Sequence, residues 1–465
     1  MRPFELTLGI FTIFVAISYF FSQVSAPLKH KILPAVLLAL ALGQLLFEGF
    51  RWQLWPLFVG ILLFAVLAFL QASGWGASLG VGIAVLLALV SIVGGSLLPV
   101  PKPYTITGPY QVGTTTTQLT DTGRQELYGN DPNAPRELMV QVWYPAEPTR
   151  DSVRSQWMAD IESAAPAIAT YIGLPSFALD HLKYVKANAF VDAPLAEGEF
   201  PVLVFSHGWA GFREQNIFQV EELASHGFIV VGINHTYGAI LTAFPDGREV
   251  PRSPDALPSG VTLEEYDIAS NKLVRQWAGD IGFVLDELAG LEPDDALGLL
   301  VGKMDLGKVG VFGHSTGGGA TAEFCAVDAR CKAALAMDLW SEPVSDSALD
   351  AGLAAPLMMM HSSDWDLDRP VRNYGRIGKL VAASTADVYE FTIQGTEHYD
   401  FSSLPLLSPL TEQLGLKGPI EGDLGLEIIN AYSVRFFDET LRGNGSVNLS
   451  VLNGQYPDVL YGFRP

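Results

Sequence analysis

The first hundred residues constrain this chain most, because their apolar residues are gathered into four long stretches. The stretches cover residues 6–24, 32–47, 54–69 and 79–98, with short polar or Gly/Pro-bearing links between them. A backbone in lipid must satisfy its own hydrogen bonds, and roughly 20 apolar helical residues cross the hydrocarbon layer. The second and third stretches are the short ones, so three or four spans are both open. A cleaved signal peptide would explain only the first stretch. We expect residues 1–100 to form a bundle of about four transmembrane helices.

Charge separates this region from the rest of the chain. Residues 1–100 contain four cations and two anions, whereas the whole chain has a net charge of −22, so residues 101–465 carry −24. An acidic surface repels nucleic acid, which makes a nucleic-acid partner improbable. In a four-span arrangement, nearly equal numbers of cations lie on the two sides of the membrane. The positive-inside rule therefore leaves the orientation of the chain in the membrane open. The acidity of the second region favours a multi-pass cell-membrane protein with that region on the extracytoplasmic side.

The two cysteines, Cys325 and Cys331, lie in the stretch FCAVDARC. A disulfide across this small loop would suit an oxidising compartment, and two buried thiols are the alternative. The spacing lacks the neighbouring His and second Cys pair of a zinc site, so neither a metal nor another cofactor is expected.

After a Pro/Gly/Thr-rich connector at 101–118, short apolar runs alternate with helical patterns. Strands are predicted at 138–144, 202–205, 228–233, 309–312, 333–337, 357–361 and 388–393, and helices at 213–226 and 272–289. Continuously apolar strands alternating with helices indicate a doubly wound, mostly parallel sheet, here within a domain at 119–465. Two insertions, 150–186 and 241–266, fit no strand and are expected to cover a site.

The sequence around Ser315 carries the strongest chemical signal. An apolar strand at 309–312 runs into Gly313-His-Ser-Thr-Gly317 and then into a helix of small residues. This is the context of a nucleophile elbow, in which both glycines stand where a side chain would clash. We therefore expect Ser315 to be a catalytic nucleophile.

A serine hydroxyl needs a base within hydrogen-bond reach, and in this fold the base follows the serine. Two histidines lie downstream of Ser315: His361 ends an apolar run that would hold it in the sheet, whereas His398 follows the last apolar strand in a loop. We expect His398 to be the base.

The acid that orients the base is open on pattern alone. Asp338 ends the predicted strand 333–337, and Asp364 begins an acidic cluster after the next strand. Each carboxylate follows a strand where an acid would meet the base, so Asp338 and Asp364 are both candidates.

Hydrolysis through a serine also needs two backbone N–H groups for the oxyanion. One is expected from Thr316, directly after the nucleophile. The segment Phe205-Ser-His-Gly-Trp-Ala-Gly-Phe-Arg213 follows an early strand, and its Trp209 N–H is the expected second donor.

These pieces resemble the plasma-type platelet-activating factor acetylhydrolases, or group VII phospholipases A2, of the α/β-hydrolase superfamily. The matching pieces are Val142-Trp-Tyr-Pro-Ala146, the segment 205–213, Gly313–Gly318, Asp338-Leu-Trp and the His398 loop, and together they span most of residues 105–442. The resemblance implies Asp338 as the acid. It also implies calcium-independent release of short or oxidised acyl chains from phospholipids through an acyl-enzyme.

Three features depart from that family. The helical N-terminal region is absent from its secreted members, and Trp209 stands where they usually have a smaller apolar residue. Gly317-Gly-Gly319 also resembles polyester hydrolases and dienelactone-hydrolase relatives, for which Asp364 would be the acid. A general carboxylesterase, and a non-catalytic membrane protein on a hydrolase scaffold, are the alternatives to an esterase acting on lipid or small-molecule esters.

Overall fold

The computed structural model describes residues 1–19, 25–363, 365, 370–443 and 447–461. The chain divides into two compact units. The smaller unit comprises Met1–Pro101, Phe177–Val185 and Leu407–Leu410, and the larger comprises Lys102–Ser176, Lys186–Leu406 and Thr411–Pro465. The smaller unit thus includes two segments that lie far beyond the first hundred residues, which the sequence analysis did not anticipate.

The smaller unit is built on helices. They are α1 Pro3–Ser18, α2 Leu33–Phe47, α3 Trp55–Phe69 and α4 Trp75–Leu97. A π turn extends α2 back to Leu28 and a 3-10 turn extends α3 back to Trp52, so these stretches reach 20 and 18 residues and are longer than expected. With α4, three helices among the described residues are long and apolar enough to cross a membrane. The fourth, α1, has 16 residues, and the predicted end of its stretch lies in residues 20–24, outside the described part.

A buried polar cluster joins the helix ends at one side of this unit. Glu5 is fully buried and accepts hydrogen bonds from Arg51 at 2.6 and 2.8 Å and from Arg2. Arg51 also donates to the carbonyl oxygens of Gly95 and Leu98 at the end of α4. A buried carboxylate requires such partners, and they bring the ends of three helices together.

The larger unit alternates strands and helices. Its strands are β1 Gln111–Gln125, β2 Pro135–Ala146, β3 Arg154–Gln156, β4 Lys186–Val191, β5 Phe200–Ser206, β6 Ile229–Asn234, β7 Leu241–Ala243, β8 Glu249–Pro251, β9 Met304–His314, β10 Cys331–Met337, β11 Leu357–His361, β12 Val388–Ile393 and β13 Val459–Tyr461. Its helices are α5 Ile161–Tyr171, α6 Ile217–Ser225, α7 Leu263–Ala289, α8 Thr316–Cys325, α9 Asp346–Ala351, α10 Pro370–Ala383, α11 Leu424–Leu441 and α12 Ser450–Asn453.

Eleven strands within the described ranges form one sheet in the order β13-β12-β11-β10-β9-β5-β6-β2-β1-β4-β3. The central run from β12 to β6 is parallel throughout, which confirms the predicted mostly parallel sheet. Val311 of β9 belongs to a core with Trp277 and Ile281 of α7. The next residue, Phe312, contacts the ring of Phe437 on α11 at 5.8 Å, so helices cover both faces of the sheet.

Every predicted strand is present, but the boundaries of other elements differ. Helix α6 begins at residue 217, four residues later than predicted, because 213–216 form hydrogen-bonded turns. Helix α7 begins at residue 263, inside the second predicted insertion, where Thr262 and Glu265 form a capping box. The expectation that both insertions lack strands is wrong, since β3 lies in the first and the β7–β8 hairpin in the second. Strand β1 begins at residue 111, within the predicted connector, because its threonines favour extended backbone.

The cysteine pair is oxidised in the structure. Cys325 ends α8 and Cys331 begins β10, and their sulfur atoms form a disulfide. This bond ties the helix after Ser315 to the strand that leads to Asp338.

Candidate active site

Ser315 lies at a sharp bend between β9 and α8. Its backbone has φ 55° and ψ −115°, a conformation that a non-glycine residue adopts only when its surroundings impose it. A Cβ on Gly313 would lie 2.4 Å from the backbone of Gly317, and a Cβ on Gly317 would lie 2.0 Å from the Ser206 carbonyl oxygen. Only glycine fits at both positions, so the bend has the geometry of a nucleophile elbow.

His398 and Asp338 are paired by a hydrogen bond. The Nδ1–H group of His398 donates to Oδ2 of Asp338 at 2.9 Å. Asp338 is fully buried at the end of β10, and its carboxylate also accepts bonds from the backbone N–H and the hydroxyl of Ser362, both at 2.7 Å. These donors stabilise the ionised carboxylate, and the bond to Nδ1 favours the imidazole tautomer whose Nε2 carries no proton.

The other candidates take different positions. His361 ends β11 and bonds Glu390 at 3.1 Å, so it is held in the sheet as expected. Asp364, the alternative acid, lies outside the described residues together with Asp366 and Asp368. The neighbouring Trp365 is described, and its ring stacks on His398 with centroids 4.1 Å apart. No sequence pattern indicated this stacking.

Ser315 and His398 line one cavity of about 240 Å³. Its wall is largely apolar and aromatic and includes Ile168, Tyr171, Ile172, Trp209, Phe212, Ile240, Tyr399, Leu404 and Leu416. Three of these residues come from α5 and its C-terminal end, and Ile240 precedes the β7–β8 hairpin. The first predicted insertion, 150–186, therefore contributes to the wall of this cavity, whereas Ile240 directly precedes the second, 241–266.

The two expected oxyanion donors are backbone N–H groups without a backbone acceptor among the described residues. Thr316 is the first residue of α8, where a backbone N–H has no acceptor within its own helix. Trp209 lines the cavity, and its N–H has no backbone acceptor among the described residues. Both groups are thus free to bind an oxygen atom.

A chain of hydrogen bonds connects the loop after β5 with the loop that carries His398. The N–H of Gly208 donates to Oε1 of Gln215 at 3.0 Å, and Nε2 of Gln215 donates to Nδ1 of His314 at 3.0 Å. Nε2–H of His314 then donates to the carbonyl oxygen of His398 at 3.1 Å. Burial, and next the adjacent His398, hold the pKa of His314 well below its usual range, so this ring is neutral.

Among the described residues, three side chains at this site are spaced closely enough to hold a metal ion. Ligand atoms of His314, Asp338 and His398 lie within 4.8 Å of one another. These atoms already bond to each other, to Gln215 or to Ser362, so the arrangement is that of a hydrogen-bond network.

A second Ser–His–Asp arrangement lies beneath the loop after β5. The hydroxyl of Ser206 donates to Nε2 of His235 at 2.9 Å, and Nδ1–H of His235 donates to Oδ2 of Asp280 at 2.8 Å. All three side chains are fully buried, and Asp280 also pairs with Arg136 at 2.7 Å. The backbone N–H of His235 donates to His207 at 3.2 Å, which connects this set to the loop after β5.

Comparisons with known proteins identify the family and the fold of this chain. Residues 100–448 match the family described as platelet-activating factor acetylhydrolase, isoform II. The platelet-activating factor acetylhydrolase of Cavia porcellus is 24% identical over 72% of this chain and 77% of its own length. A probable 1-alkyl-2-acetylglycerophosphocholine esterase of Arthroderma benhamiae is 22% identical over 80% of this chain and 95% of its own. A ferulic acid esterase from Streptomyces cinnamoneus superimposes with a TM-score of 0.63 at 24% identity, covering 78% of this chain and 99% of that structure, and shows the shared fold.

The fold and these relatives define a serine ester hydrolase of the α/β-hydrolase class. The chain belongs to the platelet-activating factor acetylhydrolase, isoform II, family.

Proposed function

We propose that this chain is a membrane-anchored serine esterase that releases short or oxidised acyl chains from phospholipids without calcium. The observation that carries this proposal is the 2.9 Å bond between His398 and Asp338 at a cavity that Ser315 also lines. Ser315 is the nucleophile, His398 the general base and Asp338 the acid that orients it.

In the proposed reaction, Ser315 Oγ attacks the ester carbonyl while Nε2 of His398 takes the hydroxyl proton. The N–H groups of Trp209 and Thr316 bind the oxyanion that forms. His398 then protonates the departing alkoxide, which leaves as the lysophospholipid alcohol. Water, deprotonated by His398, attacks the acyl-enzyme and releases the carboxylic acid together with free Ser315.

The cavity favours a small acyl group. Its volume of about 240 Å³ is at the lower end of ligand pockets. The names of the relatives point to acetyl esters of glycerophospholipids. An apolar wall with few polar groups suits a short acyl chain that reaches Ser315 from a lipid.

For localisation, we propose a multi-pass membrane protein with the hydrolase unit on the extracytoplasmic side. Three long apolar helices support membrane insertion. The disulfide between Cys325 and Cys331 supports an oxidising compartment.

The test uses the full chain purified in detergent. Labelling with a fluorophosphonate probe, followed by peptide mass spectrometry, is expected to modify Ser315. Synthetic phospholipids with acetyl, butyryl or palmitoyl groups at the second position are then incubated with a calcium chelator, and release of the short acids is expected to be fastest. Absence of labelling would contradict the catalytic assignment, and preferential release of palmitate would contradict the acyl preference.

A further inference from the structure

We propose that Arg252 recognises an anionic group of the ester substrate. The group is an oxyacid anion, supplied either by the glycerol-linked phosphate or by a terminal carboxylate on an oxidised acyl chain. This inference rests on the proposed hydrolysis of phospholipid esters and adds a binding residue to it.

Backbone hydrogen bonds position Arg252 relative to the site. Arg252 directly follows β8, and its N–H donates to the carbonyl oxygen of Ile240 at 3.3 Å. Ile240 lines the cavity, and its own N–H donates to the carbonyl oxygen of Gly211 at 2.9 Å. Gly211 is two residues from Trp209, so these bonds connect Arg252 to the loop expected to bind the oxyanion.

Two aromatic rings of the cavity wall hold the guanidinium group. The Cζ atom of Arg252 lies 5.1 Å from the ring centroid of Tyr171 and 5.2 Å from that of Trp209. Both distances are within the range of a cation–π interaction. A guanidinium group held in place by two rings loses less conformational entropy when it binds a ligand.

The charge of Arg252 has no carboxylate partner among the described residues, although the chain carries a net charge of −22. Arg248, four residues earlier on the same hairpin, pairs with both Glu137 and Asp246. The planar fork of an unpaired arginine matches phosphate and carboxylate geometry. The phenol groups of Tyr171 and Tyr399 line the same cavity and can donate further hydrogen bonds to an anion.

The experiment compares Arg252→Met with Arg248→Met in the full chain, since both remove one positive charge from the same hairpin. Three soluble substrates are used: 1-alkyl-2-acetylglycerophosphocholine below its micelle concentration, a p-nitrophenyl ester whose acyl chain ends in a carboxylate, and neutral p-nitrophenyl acetate. Arg252→Met is expected to lower kcat/KM at least tenfold, mainly through KM, on one or both of the two substrates that contain an anionic group. On p-nitrophenyl acetate it is expected to stay within twofold of the unmodified chain, as Arg248→Met is on all three.

The pattern of losses identifies the anion. A lower kcat/KM on the phospholipid alone would identify the phosphate as the group that Arg252 binds. A lower kcat/KM on the carboxylate ester alone would identify the terminal carboxylate of the acyl chain. An equal loss on all three substrates, or no loss on any, would overturn the role of Arg252. Because p-nitrophenyl acetate reports hydrolysis alone, an unmodified chain that fails to cleave it would instead overturn the proposed function.

Discussion

Two Ser–His–Asp sets with nearly the same His–Asp distance occur in the larger unit. His398 bonds Asp338 at 2.9 Å, and His235 bonds Asp280 at 2.8 Å. The serine of the first set lines a cavity and lies on a strained bend, whereas Ser206 has no positive φ. Ser206 ends a regular strand and is fully buried, so no ester can reach its hydroxyl.

The surroundings of Asp280 indicate a structural role. Its carboxylate pairs with the buried cation of Arg136. Burial raises the pKa of Asp280, but the charge of Arg136 and the hydrogen bonds from His235 and Arg136 together outweigh burial and hold this pKa below its usual range. We infer that the second set stabilises the fold beneath the loop after β5. A hydrogen-bonded Ser–His–Asp set therefore does not by itself identify a catalytic triad; solvent access and backbone strain of the serine distinguish the two sets.

Replacing the serine of each set is expected to give the largest difference in kcat between the two sets. Ser315→Ala is expected to lower kcat by about a millionfold, the effect of losing a nucleophile in a serine hydrolase. Ser206→Ala removes one buried hydrogen bond, worth about 1 kcal/mol, and is expected to keep kcat within tenfold. Turnover of p-nitrophenyl butyrate measures both variants. Comparable inactivation of the two would mean that the buried set takes part in catalysis.

Substitution of Asp338 is expected to affect mainly activity, and substitution of Asp280 mainly stability. Asp338→Asn is expected to lower kcat by about 10⁴-fold because the imidazole loses its orienting acceptor. Asp280→Asn leaves Arg136 without its buried counter-charge and is expected to reduce the free energy of unfolding by about 3–5 kcal/mol. Both are measured by p-nitrophenyl butyrate turnover and urea unfolding.

Asp364→Asn serves as the control for the choice of acid and is expected to retain activity. If Asp364→Asn were inactive while Asp338→Asn remained active, the assignment of the acid would be wrong.

The chain of bonds through Gln215 exists only at the first set. Gln215→Leu removes the acceptor of Gly208 and the donor to His314. We expect kcat to fall about 10- to 100-fold because the loops around the site are no longer held in their positions relative to each other. Gln219→Leu is the matched control, since Gln219 is also buried one turn later and bonds Ser433 and Asn216 rather than Gly208 or His314. Equal losses in both variants would assign the effect to general destabilisation.

Burial of His235 predicts a modest dependence of stability on pH. Burial lowers the pKa of His235, so the folded chain keeps this ring neutral while the unfolded chain binds a proton below about pH 6.5. Stability is therefore expected to fall as the pH drops below that value, by up to about 1.4 kcal/mol per pH unit for this one proton. His235→Gln removes this contribution, which urea unfolding between pH 5 and 8 would measure. An unchanged slope in His235→Gln would contradict this contribution.

Local sequence was sufficient for the central strands of the sheet and indicated two residues that line the cavity. Strands β11 and β12 have the predicted bounds because continuous apolar runs leave few alternatives for a central strand. Ser315 and His398 were found because an elbow motif and chain order restrict where they can lie. Their catalytic roles stay predictions that the variants above test.

Other features depend on contacts between distant parts of the chain. Asp338 and Asp364 both follow strands, and only the resemblance to known esterases favoured Asp338. Gln215 and Trp365 reach the site through tertiary packing, and no motif distinguishes them from other polar or aromatic residues. The start of α7 was missed although Thr262 and Glu265 signal it, because the insertion was interpreted as irregular.

The disulfide can report the redox compartment in which the protein matures. Cys325 and Cys331 are only six positions apart, so their bond restrains little of the unfolded chain and contributes less stability than a bond closing a long loop. A molecule that matured among reducing thiols would carry two sulfhydryl groups and lose roughly 2 kcal/mol of stability. Mass spectrometry of thiol-blocked protein from intact cells would thus show whether each molecule had passed through an oxidising compartment.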